Sequence, residues 1–95
     1  MKKKTNSTRL SEMLGISPAR GMEAIIKAEL ISAVLKVCQK RRITHAELAK
    51  RSGLPRSAVT GILSGSLQKV TIDRVLRLIE AVDLVAEVRV HKKTA

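Results

Sequence analysis

The sequence predicts an all-α fold, a bundle of about four to five helices with a short C-terminal strand, and three observations carry that expectation. The 95 residues contain no Phe, Tyr or Trp, so the core must be built from Leu, Ile, Val, Ala and Met, residues that fill helix interfaces well. Apolar residues recur at i, i+3, i+4 and i+7, the period of one helix face. Ser/Thr caps and Gly or Pro mark where those stretches start and stop. A chain of this length makes one small domain whose core buries about 60–65% of the unfolded surface, so help from a second subunit is expected.

Residues 1–20 read as a flexible N-terminal arm, polar and basic, with Gly15 and Pro18 each unfavourable inside a helix. Within it, "LSEMLGI" sets Leu10, Met13, Leu14 and Ile16 at near-helical spacing. Two readings stand: a frayed tail, or one or two turns that fold into a partner's groove.

The folded domain takes residues 21–95. Its first helix runs from about Met22 to Arg41, with Ile31, Val34, Leu35 and Cys38 on one face. Lys36, Lys40, Arg41 and Arg42 lie on its other faces or at its end, where the helix dipole favours cations. Thr44 followed by Glu47 forms a capping box, each side chain satisfying a backbone N–H, so a second helix spans about His45 to Ser52. Gly53 stops it in the left-handed conformation, and Pro55 suits the first turn of a third helix reaching Leu63. Thr71 or its neighbour caps a fourth, with Ile72, Val75, Leu76, Ile79 and Val82 in helical repeat.

After Asp83 the period changes to alternation, Ala86, Val88 and Val90 on one side and Glu87 and Arg89 on the other, which is a strand pattern. No second strand candidate exists in the chain. The same strand from a second molecule, antiparallel about an axis through Val88, would set Glu87 opposite Arg89 and make a homodimer. The alternative is a disordered tail.

Nineteen Lys plus Arg against eight Asp plus Glu give a net charge of +11, a field that attracts nucleic acid or an acidic protein. Readers of single strands stack bases on aromatic rings, and this chain has none, so duplex DNA is the expected ligand. The lone Cys38 excludes an internal disulfide and sits on an apolar face, which suits an inert buried thiol. No signal peptide and no apolar run of about 20 residues is present, so a soluble, cytoplasmic protein without membrane contact is expected. His45, His91 and Cys38 lack metal-ligand spacing, no phosphate-cradling glycine motif occurs, and the serines lack a His and carboxylate set. Neither enzyme activity, nor a metal, nor a cofactor is expected.

Two short helices joined at a glycine turn describe a helix-turn-helix. Counting His45 as first, Ala49 is fifth, Gly53 ninth, Val59 fifteenth and Ile62 eighteenth. Ala49 must be small where the second helix crosses, and Leu48, Leu54, Val59 and Ile62 supply the shared core.

On these residues the chain resembles the Cro/C1-type (Xre-like) helix-turn-helix family, with its lambda-repressor-like bundle, over residues 30–82, centred on "ITHAELAKRSGLPRSAVTGILSG". The following "VTIDRVLRLIEAVDLVAEVRV" resembles the end of the HigA-like antitoxin subgroup, where a helix leads into a short strand. The resemblance implies that the Pro55–Leu63 helix enters the major groove, with Arg56 and Ser57 at base edges and Thr60 one turn later. Thr44 is a further candidate DNA contact, and Ser64, Ser66 and Lys69, in the loop after the recognition helix, are either phosphate partners or plain surface loop. His45 stands where a glutamine often touches phosphate, and is either such a contact or an idle helix start. Gly61 stands where a longer polar side chain often reaches DNA.

The function implied is a repressor binding a pseudopalindrome with half-sites about 34 Å apart, autoregulating as the antitoxin of a HigB/RelE-like toxin in a bacterial, nucleoid-associated setting. Leu10, Met13, Leu14 and Ile16 are the candidate toxin contacts. The alternatives are a stand-alone Xre-type regulator and a non-specific nucleoid protein that binds any duplex with steep salt dependence.

Overall fold

The computed structural model describes residues 7–65 and 70–93, and among them five helices follow one another: α1 Ser7–Leu14, α2 Pro18–Arg41, α3 His45–Ser52, α4 Arg56–Leu63 and α5 Ile72–Ala81. Gly15 takes a left-handed φ of 66° as α1 ends, and Ile16 N–H donates to the Ser11 carbonyl at 2.9 Å. Ser17 Oγ then accepts from Arg20 N–H at 3.3 Å, and Pro18 sits in the first turn of α2, where its missing N–H costs nothing. The two residues that argued against helix are therefore the stop of one helix and the start of the next. Residues 7–14 fold back onto α2 of their own chain, and the expected arm boundary at residue 20 falls inside α2.

The buried residues of α2 divide into two groups. Ile31 and Val34 belong to the main core, whereas Gly21 and Lys27 lie in the N-terminal half, outside it. Lys27 places its ammonium 2.9 Å from the Glu23 carboxylate one turn earlier, and this hydrogen bond, with the attraction of the charge, holds Glu23 below its usual pKa. Buried Ser11 belongs to α1, whose Met13 and Leu14 are exposed, so α1 turns a polar residue inward and two apolar ones outward.

α2 ends at Arg42, left-handed at φ 54°, and Arg41 Nη1 reaches Asp83 Oδ2 at 3.3 Å, tying that end to the turn after α5. Thr44 Oγ1 accepts from Glu47 N–H at 3.1 Å. The reciprocal half of the predicted capping box does not form, because the Glu47 carboxylate is drawn to Arg51 Nε at 3.0 Å. Thr71 caps α5 by accepting from Arg74 N–H at 3.3 Å.

Leu48, Leu54, Val59 and Ile62 are all buried, joined by Val75, Leu78, Ile79 and Val82 from α5 and its end. α5 packs on α2 and α3, with Ile72 half-buried and Leu76 exposed beside its buried stripe. The predicted terminal strand is a correction: residues 84–93 have no strand assignment, and Val85, Val88 and Val90 are all nearly nine-tenths exposed. A strand exists only through a ladder with a partner, and the described residues of this chain offer none. No helix among the described residues is long and apolar enough to cross a membrane.

Candidate nucleic-acid interface

The turn between α3 and α4 is built by four residues in sequence. Gly53, at φ 74°, donates its N–H to the Ala49 carbonyl at 2.9 Å and ends α3. An added Cβ there would meet nothing within 4 Å, so the glycine is needed for its backbone conformation and not for space. Ser52 Oγ accepts from Leu54 N–H at 3.3 Å, and the Leu54 side chain is buried beneath the turn. Pro55 occupies the cap position, one residue earlier than predicted, and α4 begins at Arg56 with no side chain capping its first N–H groups. Uncapped donors at the positive end of a helix suit an anion such as a phosphate.

α4 divides its residues cleanly between the core and solvent. Val59 and Ile62 are buried, while Arg56, Ser57, Thr60 and the cap residue Ser64 are exposed. Positions i, i+1, i+4 and i+8 fall on one flank of a helix with 3.6 residues per turn, so the predicted base-reading residues share a surface. Arg56 makes no ion pair with a described residue, whereas Arg51 is held by Glu47. Ser64 Oγ donates to the Gly61 carbonyl at 2.9 Å, which commits its proton to the end of α4. Thr44 is exposed and already serves as the α3 cap. Ser66 and Lys69 lie outside the described residues.

His45 has a role that neither sequence reading supplied. Its Nδ1 lies 3.0 Å from Thr60 Oγ1, a hydrogen bond between the first residue of α3 and the middle of α4. The two are fifteen positions apart, and only the crossing of the helices brings them together. No linear pattern carries that signal.

Gly61 is half-buried, and an added Cβ would meet nothing within 4 Å. The glycine therefore is not required by packing, and Gly61→Ala is expected to raise stability by about 0.4–1 kcal/mol, read as the urea midpoint. A lower midpoint would mean that α4 lies closer to a neighbour than this geometry has it.

The other predicted sites are dispersed. On α1 and its following turn, Met13 and Leu14 are exposed and Ile16 is half-buried, while the Leu10 side chain is outside the description. Ala86, Glu87, Val88, Arg89 and Val90 are all exposed along the terminal segment. Cys38 is half-buried against the core, and burial pushes its thiol above the ordinary pKa although the charge of Arg51 opposes the shift. No group of three His, Cys, Asp or Glu among the described residues is placed to hold a metal.

The family model for the helix-turn-helix domain matches residues 10–91. No curated protein and no solved structure matches the chain.

Proposed function

The chain belongs to the helix-turn-helix domain family, and from that premise we propose that it is a sequence-specific repressor of transcription that reads double-stranded DNA through the exposed flank of α4. The observation that carries the reading is the sorting of α4: Arg56, Ser57 and Thr60 face solvent on one side while Val59 and Ile62 anchor the other in the core. Phosphate contacts then come from the uncapped start of α4, from His45 and from Thr44, with a net charge of +11 drawing the protein to the duplex. Two copies would read two half-sites about 34 Å apart.

The test is a titration of the purified protein against the DNA upstream of its own gene and against a scrambled duplex, at near-physiological salt. A preference of roughly a thousandfold for the native sequence is expected. Equal affinity for both would leave non-specific coating as the function of the charge.

A second reading, an antitoxin that also holds a small toxin protein, is favoured by the apolar side chains left in solvent on the first two helices. Met13 and Leu14 on α1 and Met22 and Ile26 on α2 are all exposed, at 72%, 59%, 50% and 49%. A protein partner would cover such residues at little entropic cost, because α1 is already helical. In this reading, removing α1 abolishes partner binding and spares the DNA affinity of α3 and α4.

A further inference from the structure

His45 and Thr60 meet through Nδ1 and Oγ1 at 3.0 Å, and we infer that His45 decides which kind of base Thr60 reads. The inference rests on the proposed reading of DNA by α4 and specifies it at one position. Nε2, the other ring nitrogen, has no protein partner among the described residues. As the first residue of α3 the ring stands at the positive end of a helix dipole, where an anion is favoured.

A neutral imidazole has one N–H and one bare nitrogen, and the bond made by one nitrogen settles the state of the other. A phosphate oxygen can only accept, so its contact with Nε2 places the ring proton there. Nδ1 is then bare and accepts the Thr60 hydroxyl proton. With that single proton committed, Oγ1 offers only lone pairs to the groove.

In the major groove the amino groups of adenine N6 and cytosine N4 donate, whereas guanine O6 and N7 and thymine O4 accept. Thr60 so held bonds an amino-bearing base and opposes a lone-pair-bearing one. Without His45 the hydroxyl rotates and serves either kind. Contacts to phosphate ordinarily set register and contacts to bases set sequence; here one imidazole ring connects the two.

The experiment compares the full chain with Thr60→Val, Thr60→Ser, His45→Phe and the His45→Phe/Thr60→Val double variant, at about pH 8. The probes are duplexes of the upstream site with each base pair exchanged in turn. The pair whose preference Thr60→Val erases is the one Thr60 reads, and Thr60→Ser should keep that preference. The wild type is expected to favour an amino-bearing base there by roughly tenfold. His45→Phe should erase the same preference and leave those at other positions, and the double variant should lose no more than either single one.

Preferences retained at the other positions show that His45→Phe is folded. The inference is overturned if Thr60→Val erases a preference that His45→Phe leaves intact, if the favoured base presents a lone pair, or if no position responds to Thr60→Val. In each of those cases specific binding persists and the reading of α4 stands. Equal binding of every duplex by the wild type would overturn both.

Discussion

Leu48→Ala is expected to destabilise the chain by about 2–5 kcal/mol, a large share of the roughly 5–15 kcal/mol available to a domain of this size. The side chain is 0% exposed and is the buried residue through which α3 enters the core. α3 packs against both α4 and α5. Truncation opens a cavity where the three helices meet, and with no aromatic ring in the sequence there is no large neighbour to collapse into it. Thermal unfolding should show a midpoint lower by at least about 10 °C. Leu76→Ala, on the outer side of α5 at 43% exposure, is the control and should cost far less. Similar midpoints for the two variants would mean that α3 is not held through Leu48.

Such a loss would reach function as well as stability, because α3 carries His45 and ends in the turn that sets the direction of α4. The affinity of Leu48→Ala for DNA should recover on cooling, where the fold reforms. An affinity that stays low in the refolded protein would point to a local change at the interface.

The parts of this architecture that were legible in the sequence are those written in short-range chemistry. Thr44, Gly53 and Thr71 each act on backbone groups within a few residues, so their spacing locates the ends of α3 and the start of α5. Leu48, Leu54, Val59 and Ile62 could be assigned to a core because the spacing of two short helices about a glycine turn sets them beneath both helices. Gly15 and Pro18 mislead in the sequence because both residues break a helix interior and equally serve its ends. Composition alone does not distinguish the two uses. Nor does alternation in residues 86–90 make a strand, since the ladder that defines one lies in another chain or nowhere. At the interface the exposed flank of α4 follows from helical period, but the His45–Thr60 bond depends on where two axes cross.

Arg56→Ala is expected to lower affinity for the native site by about 1–3 kcal/mol while changing affinity for scrambled DNA far less. The reason lies in how the guanidinium groups around the motif are committed. Arg41 is bonded to Asp83, Arg51 to Glu47 and Arg77 to Asp73, whereas Arg56, like Arg42 and Arg74, has no ion pair among the described residues, and of these three it is the one that stands in the first turn of α4. An unengaged planar fork at the start of the helix matches O6 and N7 of guanine in the major groove. Arg56→Lys separates that role from charge, since lysine keeps the positive charge and loses the fork. Competition titrations should find that Arg56→Lys restores the salt dependence of the wild type but not its preference for guanine. If lysine restores both, Arg56 touches only phosphate, and base recognition by α4 falls to Ser57 and the Thr60 hydroxyl.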